Sequence, residues 1–141
     1  MEIKILNDSV KPFYATDGAA AFDLFNAEDD FLLAPNEVRK TLTGISVYIE
    51  DRNLCGLIVP RSGLGSRGII LANTVGVIDS DYQGEIIVCL WNRSQDKQII
   101  TSKMRIAQMI IVPVFHPNFN IVEQFSNETT RGAGGFGSSG L

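Results

Sequence analysis

The chain has one histidine, His116, two cysteines and one tryptophan in its 141 residues. Each shortage removes a class of chemistry. A zinc site assembled from several histidines cannot be made. A serine nucleophile has a single weak candidate for its base, since Pro117 follows His116 directly and marks it as a turn or surface residue. If the protein is an enzyme, its base is a carboxylate. Cys55 and Cys89 lie inside apolar runs, Leu54 to Val59 and Ile86 to Trp91, with no Cys-x-x-Cys spacing, so they read as small buried hydrophobes with free thiols in a reducing compartment. No apolar run approaches the length of a membrane span. Met1 to Leu6 alternates charged and apolar residues without the long apolar core of a secretory signal, which predicts a cytoplasmic protein with no membrane partner. Basic charge is short too: 12 Lys and Arg against 16 Asp and Glu leave a net charge of −4 and a pI near 4.9. That balance argues against gripping a nucleic-acid backbone, which needs a broad basic surface, but leaves room for a small anionic ligand held by a few arginines.

Long amphipathic patterns of helical period are also missing. What is present is a succession of short apolar runs punctuated by turn residues every eight to twelve positions or so, the rhythm of β-sandwiches and barrels. Ile3 to Leu6 reads as a short strand, followed by loop chemistry through Asn7, Asp8, Pro12, Asp17 and Gly18. Phe31 to Leu33 and Val38 to Leu42 are separated by the turn signal Ala34-Pro35-Asn36-Glu37. Gly44 to Glu50 alternates at period two, and Leu54 to Val59 suits a strand buried on both faces. Glu85 to Trp91, Gln98 to Ile100, Ile106 to Phe115 and Phe119 to Val122 continue the series. The expectation is one mostly β domain, long enough to bury roughly two thirds of its unfolded surface without disulfides.

Three stretches carry chemistry. Gly76 to Glu85 sets Asp79, Asp81 and Tyr82 between the apolar runs Val75 to Ile78 and Ile86 to Leu90, which predicts a β-hairpin with carboxylates at its bend. Unused backbone N–H and C=O groups at such a tip could read the edge of a flat heterocycle, and one carboxylate could act as a base; acidic turn residues that are merely solvated give the same pattern. Pro60 to Gly68 packs three glycines, two serines and two arginines into nine residues, enough amides, hydroxyls and guanidinium forks to wrap phosphate oxygens, or simply a Gly-rich connection. It lacks the Gly-Lys-Ser/Thr ending of a Walker loop. Arg131 to Leu141 contains five glycines and cannot pack as a regular element; it reads either as a solubilising tail or as a segment that closes over a ligand. Asp23, solitary among Ala19-Ala20-Ala21-Phe22 and Leu24-Phe25, reads as a solvated carboxylate at a turn or strand end.

Together these stretches resemble the trimeric deoxyuridine triphosphatase (dUTPase) family. The resemblance runs through five ordered motifs: Ala20 to Leu24, Pro60 to Gly68, Gly76 to Gly84, Arg105-Ile106-Ala107-Gln108, and Arg131 to Gly140. It implies a jelly-roll-like β domain over residues 1–125 and a flexible arm over 126–141 that closes over an active site. It also implies hydrolysis of dUTP to dUMP and pyrophosphate, which lowers dUTP and supplies dUMP for dTTP synthesis, by a homotrimer with shared sites. Mg²⁺ would be held by the triphosphate and water, with no direct protein ligand and with Asp23 and Gln108 as candidate contacts to its waters.

Matched by position, Asp79 resembles the base for the attacking water and Tyr82 the ring beneath the deoxyribose. Asn73, Val77, Ile78 and Ile87 line the uracil slot, Arg61, Ser62, Gly63 and Gln108 meet phosphates, and Arg131, Phe136, Gly137, Ser138 and Ser139 belong to the arm. Two departures stand out: Ala21-Phe22 where the family has Gly-Tyr, and Lys103-Met104 in place of an acidic residue and its neighbourhood ahead of Arg105. The resemblance also admits a regulatory protein that keeps the pocket, and a dCTP deaminase on the same fold, against which the hairpin and Gly-rich arm speak.

Overall fold

In chain order the strands are β1 (Glu2–Ile5), β2 (Phe22–Phe25), β3 (Phe31–Leu33), β4 (Val38–Tyr48), β5 (Leu54–Val59), β6 (Ile69–Leu71), β7 (Gly76–Ile78), β8 (Glu85–Asn92), β9 (Gln98–Ile100) and β10 (Arg105–Pro113), with one helical turn, α1 (Ser62–Gly65), after β5. The computed structural model describes residues 1–6 and 8–135. Two four-stranded antiparallel sheets, ordered β1-β4-β8-β6 and β2-β10-β5-β7, face each other, and β3 pairs with β9. The mostly β, two-sheet architecture matches the sequence rhythm.

Strict alternation drives the packing. On β8, Ile86, Val88 and Leu90 are buried while Ile87 and Cys89 turn outward. From the opposite sheet Leu24, Ile58, Ile106 and Met109 meet them, and each such side chain, fully buried, is worth about 1.5–3 kcal/mol. Both cysteines are free thiols, as their apolar surroundings predict, with Cys55 buried and Cys89 half-buried.

Three expectations need correction. The runs Val38 to Leu42 and Gly44 to Glu50 are one strand, β4, because the break between them is a bulge rather than a turn: the β4–β8 register shifts between Leu42 and Ser46. Gly44 sits there at φ +69°, where the Ser9 side chain occupies the space a Cβ would need, and its N–H donates to Glu85 Oε1 at 2.8 Å. Phe119 to Val122 is not a strand. β10 ends at Pro113, and Phe119 and Ile121 are 91% and 95% exposed, so β propensity there finds no neighbour to pair with among the described residues.

The third correction concerns the hairpin. β7 pairs with β5, and β8 with β4 and β6, so the two runs flanking Asp79 lie in different sheets and share no ladder. The intervening residues cross from one sheet to the other. A turn-rich link between apolar runs looks alike in sequence whether the runs pair or part.

Candidate functional site

Because β7 is the last strand of its sheet, its outer edge has no ladder partner. β8 faces β6 only from Leu90 to Asn92, which leaves its first half open on the same side. The gap between these two edges is a cavity of about 150 Å³, lined by Asn73, Gly76, Val77, Ile78 and Ile87 together with Ile58, Leu71, Val88 and Cys89. All four residues expected at the base slot are therefore brought together, and the slot exists because the expected hairpin does not zip. Asn73 Nδ2 reaches only its own loop, at 3.4 Å from the Val75 carbonyl. Val77, 63% exposed, stands open to solvent.

Beyond the slot, Asp79 is exposed and lines a wider concavity of about 450 Å³ with Arg52, Asp81 and His116. Tyr82 folds back: its N–H donates to the Asp79 carbonyl at 3.2 Å, its hydroxyl donates to the Glu85 carbonyl at 3.0 Å, and its ring covers Gly84 so closely that any Cβ there would collide with it. The ring is thus held by the turn that also presents Asp79, though it lines neither the slot nor the concavity beyond it. Ser80 ties this turn to the segment that follows β4, its carbonyl accepting from Glu50 N–H at 2.9 Å.

The phosphate-type residues gather elsewhere, on the outer face of the β2-β10-β5 sheet. Directly opposed residues of an antiparallel ladder share a face, and the register places Gln108 opposite both Asp23 and Val59. Arg61, two residues past Val59, continues that face. Arg105 is three residues from Gln108 and would point the other way on a regular strand; the bulge between Arg105 and Ala107 restores the phase and sets it opposite Phe25, on the side of Asp23.

At the centre is an ion triad. Arg61 Nε lies 2.7 Å from Asp23 Oδ1 and Arg105 Nη1 lies 3.3 Å from Asp23 Oδ2. Asp23 is only 8% exposed, in mid-strand, so the reading of it as a solvated turn carboxylate is overturned. A carboxylate so placed is tolerable because both oxygens are paired, and in turn it aims Arg61. Gln108 Nε2 donates to the Pro60 carbonyl at 2.8 Å and anchors the start of the Arg61 turn. Asp23, Arg61, Ser62, Arg105 and Gln108 line one cavity of about 430 Å³. Gly63 lies outside that lining, on a neighbouring concavity. Arg105 enters this site although the sequence assigned it no role beyond its place in the motif Arg105-Ile106-Ala107-Gln108, since no periodicity announces a bulge.

Asp79 and the triad lie far apart within one chain. The β5–β7 ladder sets Gly56 opposite Ile78 and so brings Asp79 level with Cys55. Arg61 is six residues further along an extended segment, about 20 Å away at roughly 3.3 Å per residue. Among the described residues Arg131 makes a local contact, Nε donating to the Gly134 carbonyl at 2.9 Å. Phe136, Gly137, Ser138 and Ser139 lie outside the described residues. Among the described residues no three His, Cys, Asp or Glu side chains converge on a point where they could hold a metal ion.

An apolar slot rimmed with unpaired backbone, and a polar face carrying fixed guanidinium groups, are what a β-protein offers to the base and to the phosphates of a nucleotide. Comparison with known proteins gives the class a family: the model described as dUTPase matches residues 8–140, and the chain belongs to that family. The deoxyuridine 5'-triphosphate nucleotidohydrolase of Psychrobacter cryohalolentis is 46% identical over 149 residues, covering 99% of this chain and 97% of the relative. Its namesake from Haemophilus influenzae (strain PittEE) is 49% identical over 142 residues, covering 99% and 93%. Among solved structures, the Staphylococcus bacteriophage 80alpha dUTPase with dUPNHPP superposes with a TM-score of 0.86 at 27% identity, covering 99% of this chain and 98% of that one.

Proposed function

We propose that the chain hydrolyses dUTP to dUMP and pyrophosphate, as a homotrimer in which each active site draws on more than one chain. The observation that carries this reading is the unzipped pair of strands β7 and β8, whose facing edges enclose a slot the size of a pyrimidine with a carboxylate just beyond it. Uracil would lie between Val77, Ile78 and Ile87 with Asn73 at its edge, reading the free backbone as a partner strand would. A slot this narrow leaves no space for thymine's methyl group. Cytosine would leave buried donors and acceptors mismatched, at about 1–3 kcal/mol each. Tyr82, held by its bond to Glu85, packs beneath the deoxyribose and excludes a ribose 2′-hydroxyl.

Asp79 orients the attacking water and accepts part of its proton as the bond between the first and second phosphates breaks and pyrophosphate leaves. Arg61, Ser62, Gly63 and Gln108 hold the phosphates, with Arg61 pre-aimed by Asp23. The segment 126–141 acts as an arm: Arg131 offsets charge developing in the transition state, Phe136 stacks on the base, and Gly137, Ser138 and Ser139 donate to phosphate oxygens while water is shut out. Mg²⁺ carried by the triphosphate would neutralise charge on it. The residues fit that role and not a protein cage, since both oxygens of Asp23 already meet arginines, no three acidic, His or Cys side chains converge among the described residues, and Asp23 and Gln108 line the cavity where a hydrated cation's waters could be met.

The separation of about 20 Å between Asp79 and Arg61 supports the shared site, because a water at the first phosphate and a hand on its neighbours must lie within one triphosphate. The free thiols Cys55 and Cys89 favour a cytoplasmic setting. The experiment is to incubate the protein with Mg²⁺ and, separately, dUTP, dTTP, dCTP or UTP, measuring pyrophosphate, the monophosphate and ammonia. Pyrophosphate and dUMP from dUTP alone are expected. Ammonia from dCTP, or equal turnover of dTTP, would overturn the assignment.

A further inference from the structure

Arg61 and Arg105 form a wall with two sides. One faces the cavity that holds Asp23 and Gln108; the other faces a second concavity of about 420 Å³, where Arg67 and Lys103 stand opposite them and Phe25 and Leu64 supply apolar lining. Four cationic side chains and no carboxylate line this space, in a chain whose net charge is −4. Asp23 offsets one charge from behind the wall. Among the described residues neither Arg67 nor Lys103 has an acidic partner within salt-bridge distance. Arg67 is nonetheless fixed, since its Nη2 donates to the neutral Gln98 Oε1 at 2.8 Å, which orients the guanidinium without neutralising it. Lys103 adopts φ +60°, a left-handed conformation that disfavours a long side chain, and it is pinned there by its N–H bond to the Asn26 carbonyl at 2.8 Å. A strained turn that presents a cation to three others is poorly explained by folding alone.

We propose that this concavity is an oligophosphate subsite, continuing the phosphate track past the Arg61–Arg105 wall and taking the diphosphate group that the reaction releases or, before release, the far end of the substrate's phosphate chain. Three guanidinium forks and an ammonium around a space of this size suit a compact group carrying several negative charges. The identity of the ligand rests on the reaction proposed above; the existence of the site does not.

The test is calorimetric titration of the full chain with inorganic pyrophosphate in the presence of a chelator, for the parent, Lys103→Gly and Arg67→Gln. Lys103→Gly relieves the left-handed strain, so its Tm should equal or exceed the parent's, which keeps misfolding out of the result. Each substitution should weaken pyrophosphate binding about tenfold. dUTP turnover, measured separately on the same preparations, tells the two sources apart. An unchanged KM with weaker product inhibition assigns the subsite to released pyrophosphate, whereas a parallel rise in KM assigns it to the bound substrate's chain. Pyrophosphate affinity within twofold of the parent in both variants would overturn the proposal. A preparation that failed to turn over dUTP yet bound pyrophosphate through Lys103 and Arg67 would keep the subsite and discard the assigned reaction.

Discussion

At the scale of single residues, two carboxylates with opposite surroundings divide the work. Asp79 is exposed and has no charged partner within salt-bridge distance among the described residues, which suits a group that must meet water; Asp23 is buried under two arginines, which suits one that must never let go. Asp79→Asn keeps the shape and removes the proposed proton acceptor. It should leave dUTP affinity within a few-fold and lower kcat by a hundredfold or more, the usual range for loss of a general base, read by steady-state kinetics. Asp23→Asn should act differently. Its loss frees Arg61 and leaves guanidinium charge partly buried without compensation, so KM should rise about tenfold or more and Tm should fall. A Tm unchanged with Asn at 23 would mean that the triad is not what holds Arg61. The sequence put Asp79 on a link between two apolar runs, where it lies exposed, since a carboxylate among turn formers is visible in one dimension, although the link joins two sheets and not a hairpin. It misread Asp23, because its partners are 38 and 82 residues away and are supplied by ladder register.

At the scale of elements, irregularities do the positioning. The bulge in β10 turns Arg105 to the side of Asp23, and the bulge at Gly44 lets β4 bend past Ser9 while Glu85 receives its N–H. Gly44→Ala would combine a left-handed alanine with a collision against Ser9. It should cost about 2–4 kcal/mol, seen as a lowered denaturation midpoint with an unchanged m-value. Strand positions were legible almost everywhere that apolar alternation was strong: Phe31–Leu33, Leu54–Val59 and Gln98–Ile100 lie where the sequence put them. What the sequence could not express was pairing. Alternation says which face is buried but not which neighbour lies alongside, so Val75 to Ile78 and Ile86 to Leu90 read as a hairpin and proved to lie in two different sheets. The same limit made Phe119 to Val122 look like a strand when no edge among the described residues receives it.

At the scale of the whole molecule, the distance between Asp79 and Arg61 makes a prediction about mixtures. Asp79→Asn and Arg61→Ala chains, each inactive alone, should regain activity when unfolded together and refolded. Some sites will then take Asp79 from one variant and Arg61 from the other. With random assortment about a quarter of sites are intact, so roughly a quarter of parental turnover should return. No recovery, with mixed oligomers verified by mass, would place both groups in one chain's site.

The open edge of β7 carries a liability as well as a use. A row of unspent N–H and C=O groups beside the exposed Val77 is a template on which any extended chain can add, the opening step of ordered aggregation. β7 is only three residues long and runs directly into Asp79, whose charge discourages a second copy from docking in register. Shelf life should therefore depend on occupancy of the slot. Stored warm with saturating dUMP, the protein should develop thioflavin-positive aggregates later than without it, and Asp79→Asn, stripped of that gatekeeping charge, should develop them soonest.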